Sequence, residues 1–236
     1  MKKIMLILSI ILMLSGCSTG GTAESSVNSE GESEIPSEIS VQKDTGEFLE
    51  NTFMKLWKSD TVDISVTMTV EGKEKSDEKQ VYKYRIAGDK KNKNVMLEME
   101  EPDGNKVHYI INDSRIYDIN DSEKTYSVSE YKKTVDSFIK AYTIDMNMGM
   151  SESLKIADSG TADFNKQKDL DFEKYNVVVS GNSSEKITVT YYFKGGKPYA
   201  EVMQSDRGKT TFIFKTVSDT LKDKKIFEVS KDYSES

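Results

Sequence analysis

A strict two-residue alternation constrains this chain more than any other feature. Over "VDISVTMTV", Val62, Ile64, Val66, Met68 and Val70 alternate with Asp63, Ser65, Thr67 and Thr69. Successive side chains of a strand point to opposite faces, so this stretch buries one face and wets the other. The rhythm recurs in "VYKYRIA", "NVMLEME", "KVHYIIN", "RIYDIN" and "TYSVS", separated by short polar turns such as "GDKKN" and "EPDGN". Pro, Gly, Asp and Asn set the backbone angles of such turns. These segments predict a meander of six strands. Strands return later in "FEKYNVVVS", "EKITVTYYF", "PYAEVMQ", "TTFIFKTV" and "KIFEVS".

Two segments change period. In "GEFLENTFMKLWK", residues 46–58, Phe48, Leu49, Phe53, Leu56 and Trp57 fall near one helical face. In "EYKKTVDSFIKAY", residues 130–142, Tyr131, Val135, Phe138, Ile139 and Tyr142 do the same. The segment 143–168 has no clear period, apart from a candidate short helix at 151–157. Antiparallel meanders with one or two covering helices predict an α+β domain. The two strand blocks read as one sheet interrupted by a helical insertion.

The N-terminus is built differently. Met1, Lys2 and Lys3 precede an apolar run, Ile4 to Leu14, broken only by Ser9. The run is shorter than the roughly 20 residues that span a bilayer, yet it fits the core of a secretory signal. It ends in Leu14-Ser15-Gly16-Cys17, which resembles the bacterial lipobox. That resemblance implies cleavage before Cys17 and acylation of Cys17, the only cysteine in the chain. Residues 1–16 are then a lipoprotein signal peptide, and the protein is extracytoplasmic, held to the cell membrane by its acyl chains. Each buried methylene of such a chain contributes about 0.8 kcal/mol, so two or more chains anchor stably. Residues 18–45 are rich in Ser, Glu and Gly, with six acidic residues against Lys43. Such a segment buries too little apolar surface to offset its ordering entropy. It reads, with Cys17, as a tether (17–45) reaching on the order of 30 Å as a flexible coil. Residues 46–236 form the single folded domain.

That domain holds 34 acidic against 30 basic residues, which argues against nucleic acid as a partner. One histidine and one lipid-linked cysteine leave no ordinary Cys/His or Ser/His/Asp arrangement, so no enzyme is expected. His108, inside the strand "KVHYIIN", reads as a surface or packed residue. "DINDSEKTYSVS", residues 118–129, lacks the central Gly and terminal Glu of a calcium loop. No cofactor or metal is expected. Met146, Met148 and Met150 in "MNMGM" admit ordinary packing, a ligand-facing flap or, least of all, soft-metal binding.

The hairpin "YIINDSRIYDINDSEKTYSV", the strands "YYFKGGKPYAEVMQSDRGKTTFIF" and the terminal "FEVSKDY" together resemble the LolA-like lipoprotein-carrier superfamily. The resemblance covers most of residues 46–233. It implies a strongly curved antiparallel sheet, a half-barrel, with an N-terminal helix and one or two helices over the concave face. It also implies a hollow that takes a lipid or another hydrophobic ligand. An anchored chain departs from a freely diffusing shuttle. No motif transfers individual contacts, so strand parity supplies the candidates: Met68, Leu97, Met99, Tyr191, Phe193, Phe212 and Phe214, with Met146, Met148 and Met150 as a lip. Such a face either lines the hollow or packs against the helices. The alternative is a non-catalytic envelope interaction or scaffold module with a fully packed core.

Overall fold

The computed structural model describes residues 46–74, 78–142, 155–179 and 185–236. The alternating segments form a single open sheet of twelve strands in the order β12-β6-β5-β4-β3-β2-β1-β11-β10-β9-β8-β7. The first block runs β1 (Thr61–Gly72), β2 (Gln80–Asp89), β3 (Asn94–Glu100), β4 (Lys106–Asn112), β5 (Arg115–Asn120) and β6 (Thr125–Glu130). The second runs β7 (Lys155–Phe164), β8 (Gln167–Val179), β9 (Glu185–Lys194), β10 (Lys197–Ser205) and β11 (Gly208–Ser218). Strand β1 joins the blocks by pairing antiparallel with β2 on one side and β11 on the other. The clean alternation of β1 now has its reason, since this central strand buries Val62, Ile64, Val66 and Met68 on one face.

Tight turns fix the register. Asn165 and Lys166 (φ 49° and 65°) close the β7–β8 hairpin, and Gly195 and Gly196 (φ 56° and 73°) close β9–β10. Two consecutive positive φ values match the right-handed twist of the strands they join.

Among the described residues two helices cover one face, at both places where the period changes, although the second begins only at Val135 because Glu130 still belongs to β6. The first, α1, is α-helical over Glu47–Leu49, π-helical over Glu50–Met54 and α-helical again over Lys55–Lys58. It buries Leu49, Phe53 and Leu56. The second, α2 (Val135–Tyr142), buries Val135, Phe138 and Ile139. The Thr134 hydroxyl accepts the Ser137 backbone N–H at 3.1 Å, a side-chain cap at the start of α2. Gly88 on β2 admits the helix, because a methyl group there would lie 2.5 Å from Ile139 Cδ1.

The opposite face carries a smaller core. Ala87, Met96, Ile110 and Ile119 pack beneath Phe227, with Leu221, Ile226, Val229 and Tyr233 around them. This corrects the expected final strand "KIFEVS": Lys225–Phe227 is a turn of 3₁₀-helix, and only β12 (Ser234–Glu235) adds to the sheet, parallel to β6. Apolar side chains on the outer face of β3 to β5 capture the tail by its own apolar residues instead. The Tyr233 hydroxyl and His108 Nδ1 both meet Asp121, at 2.8 and 3.2 Å, which ties the tail to β4 and the β5–β6 turn. A second difference falls on 155–157, where β7 replaces part of the candidate helix at 151–157.

Candidate ligand-binding face

Every candidate from strand parity that falls among the described residues lies in one apolar cluster, on the face covered by α1 and α2. Met68, Leu97, Met99, Tyr191, Phe193 and Phe212 are buried in it, and the half-buried Phe214 packs against it. Inter-strand pairing arranges them in adjacent rows. One row runs Glu173, Tyr191, Glu201, Phe212, Met68, Tyr82 across β8 to β2. The next runs Phe214, Val66, Tyr84, Met99, Val107. Leu97 sits between Ile86 and Tyr109. Cys17, the tether 18–45 and Met146, Met148 and Met150 lie outside the described residues.

Helix α1 rests on this face through aromatic contacts. The Phe53 ring lies 5.6 Å from Tyr191 and 5.2 Å from Phe214, centroid to centroid, and Phe48 stacks on Phe193 at 5.2 Å. Tilted and offset pairs at such separations add attraction beyond their area burial. Tyr191 and Phe193 are 2% and 0% exposed, so the face is closed over them.

A carboxylate that sequence reading did not single out holds the start of α1. Glu173, 3% exposed, accepts the backbone N–H groups of Phe48 and Leu49, each at 2.9 Å, and the Tyr175 hydroxyl at 2.9 Å. The Tyr175 oxygen in turn accepts the Gly46 N–H at 2.8 Å. The first N–H groups of a helix have no partner within the helix, and a negative charge there also meets the helix dipole favourably. Glu201, a second buried carboxyl, shares the row with Tyr191 and Phe212.

The phenols around the face are held neutral. Burial pushes Tyr109 up to about 12, with the nearby charges of Asp118 and Glu101 adding to it. Burial likewise raises Tyr175, and raises Tyr82 with help from Glu101 and Asp103. The Tyr175 hydroxyl donates to Glu173 and the Tyr82 hydroxyl to Gln80 Oε1 at 3.1 Å. Among the described residues no cluster of His, Cys, Asp and Glu is built to hold a metal. The Asp118–Ser129 stretch makes a turn instead, where Asn120 Oδ1 accepts the Ser122 and Glu123 N–H groups, both at 3.2 Å.

Open clefts flank the core among the described residues. One, of about 480 Å³, lies at the margin of the covered face between α1, the β9–β10 turn and the end of β11. Another, of about 340 Å³, lies on the outer face among Lys83, Arg85, Glu98, Glu100, Lys106 and His108. Its charges are mutually compensated: Arg85 grips Asp63 with two hydrogen bonds of 3.0 and 2.9 Å, and Lys83 meets Glu100 at 3.0 Å.

Residues 1–18 match the family described as prokaryotic membrane lipoprotein lipid attachment site. No curated protein matches the sequence. Among solved structures, the chain is similar to LprF from Mycobacterium bovis (8% identity, TM-score 0.47, covering 79% of this chain and 96% of that one). It is similar also to lipoprotein LppX from Mycobacterium tuberculosis (10% identity, TM-score 0.42, 74% and 94%). A LolA superfamily protein from Nitrosomonas europaea is a third (12% identity, TM-score 0.34, 78% and 96%). The attachment site makes this a lipoprotein, anchored through Cys17 outside the cytoplasm. Among the described residues no helix is long and apolar enough to cross a membrane. Cys17→Ser is expected to leave the chain unacylated and to shift it from the membrane to the aqueous phase on detergent partitioning. Retention equal to the wild type contradicts the anchor.

Proposed function

We propose that this membrane-anchored lipoprotein holds a lipid or another hydrophobic ligand between its sheet and its helices, without catalysing a reaction on it. One observation carries the reading. A largely apolar face from β8 to β5, with the buried carboxyls Glu173 and Glu201 set into it, is closed on the β8–β11 side by the aromatic contacts of a helix that is π-helical over its middle turn. Short π-helical stretches store local irregularity and recur at functional sites. Beyond the first turn held by Glu173, α1 rests on ring contacts, and an acyl chain entering there replaces apolar contacts with apolar contacts. Met146, Met148 and Met150 serve in this reading as an adaptable lip.

A second reading rests on a different observation. Tyr191, Phe193 and Leu97 are buried against their own neighbours, as they are in a scaffold module with a packed core. Native mass spectrometry of the acylated chain purified from its own membrane separates the two. The carrier reading expects a mass beyond the covalent acyl groups, released on denaturation. It also expects Met148→Ser to lower its occupancy with little change in melting temperature. A spectrum holding the covalent anchor alone supports the scaffold.

A further inference from the structure

The cleft at the margin of the covered face differs in charge from the rest of the molecule. Its walls are Asn51, Thr52 and Lys55 of α1, Lys197 and Pro198 of β10, and residues 215–219 at the end of β11. Two lysines, Lys55 and Lys197, stand with one acid, Asp219, and Lys215 is shared with the outer cleft, where its charge acts on Glu100, in a protein whose formal net charge is −7. The Thr216 hydroxyl and the Asn51 amide add hydrogen-bonding groups to the wall, while the Thr52 and Ser218 hydroxyls donate to the Phe48 and Thr220 carbonyls. Leu56, which also lines the cleft, is part of the main core, and Val217 packs against it.

The sheet itself opens this cleft. Strand β10 pairs with β11 only as far as Ala200 opposite Ile213, while β11 continues to Ser218. Over Phe214 to Ser218, β11 pairs with β1 on its far side. Pro198, which has no N–H to offer a neighbouring strand, stands where the β10 ladder stops. The cleft thus joins a cationic, polar rim to an apolar floor, at the place where α1 meets the sheet. That sequence of surfaces fits an amphiphile: an anionic head on the rim, with its chain directed under α1.

We infer that this cleft receives the phosphate-bearing headgroup of an anionic lipid, with Lys55 and Lys197 as its counter-charges. The inference rests on the carrier reading above and adds the class of ligand to it. Lysine meets phosphate as a mobile point charge on an apolar stem, which suits a headgroup at a wet margin.

The test uses the full-length acylated chain in neutral detergent, titrated with short-chain phosphatidylglycerol, with diacylglycerol of the same chain length, and with inorganic phosphate. Bound masses are counted by native mass spectrometry. Phosphatidylglycerol is expected to bind at least about tenfold more tightly than diacylglycerol. Lys55→Glu with Lys197→Glu is expected to erase that preference, Lys55→Arg with Lys197→Arg to keep it, and both pairs to melt like the wild type, since both positions are exposed. Equal binding of the two lipids, or a preference that survives charge reversal, overturns the headgroup site and leaves the carrier reading standing. Binding of neither lipid overturns both. Lysine-dependent binding of inorganic phosphate without lipid would make the cleft a free-anion site and overturn the lipid assignment.

Discussion

Glu173→Ala lowers the melting temperature by on the order of 10 °C, through a loss of about 3 kcal/mol. The size follows from what it strands. Two backbone N–H groups of α1 and the Tyr175 hydroxyl lose their shared acceptor at a site 3% exposed. Each buried unsatisfied donor costs about 1–3 kcal/mol, tempered here by water entering the vacated space. For a domain of this length about 1 kcal/mol moves the midpoint by about 2–4 °C. Glu173→Gln keeps the shape, but it removes the charge and one acceptor oxygen, so its loss should be about half as large. Gly46→Ala provides the internal check. A methyl group on Gly46 would lie 2.2 Å from Glu173 Cδ and Oε1, so it must expel the same carboxylate. Alanine at 46 should therefore destabilise nearly as much as alanine at 173, and the double variant should cost far less than their sum. Additive losses, or a Gly46→Ala variant that melts like the wild type, would show that Glu173 does not hold α1. Hydrogen exchange should report the damage locally, with protection falling over residues 47–58 before it falls in β1.

Glu173 was not legible in the sequence, and the reason is physical. It is one of 34 acids in residues 46–236, and its partners Phe48 and Leu49 lie 125 and 124 residues away. A faint signal existed: Glu173 shares parity with Tyr175, so an acid falls on the inward face of "FEKYNVVVS". The central strands were legible because burial on one face writes the alternation into the sequence, as in β1. Strand β7 was not, because it is an edge strand whose residues 156–161 are all exposed. With no buried side, "KIADSGTADF" needs no alternating apolar residues. The tail failed in the opposite sense. Apolar residues in "KIFEVS" suggested a strand, yet Phe227 is buried on the outer face by a single turn. Parity did place Met68, Leu97, Met99, Tyr191, Phe193, Phe212 and Phe214 together. It could not tell a face that packs under a helix from one that receives a ligand, since both are apolar.

Phe53→Ala makes that distinction measurable. The ring is buried between Tyr191 and Phe214, and removing it leaves a void in the middle of the helix–sheet contact. Deleting a buried phenylalanine ring costs about 3–5 kcal/mol, part from lost transfer energy and part from the cavity. On the scaffold reading this is the whole effect, and the variant simply melts on the order of 10 °C lower. On the carrier reading the void has the chemistry of the ligand site, and an apolar molecule that enters it restores the lost contacts. A ligand that binds only the folded chain stabilises it by about 2.7 kcal/mol at a concentration one hundred times its Kd. The Phe53→Ala chain should then regain most of its melting temperature when apolar ligand is added, and carry more bound ligand than the wild type in native mass spectra. Phe227→Ala is the control, because that ring fills the smaller core on the opposite face, away from the helices. It should lose comparable stability and recover none of it with ligand. Equal recovery by both variants would mean that any cavity in this protein takes the probe, and the assignment of the site to the helix-covered face would fall.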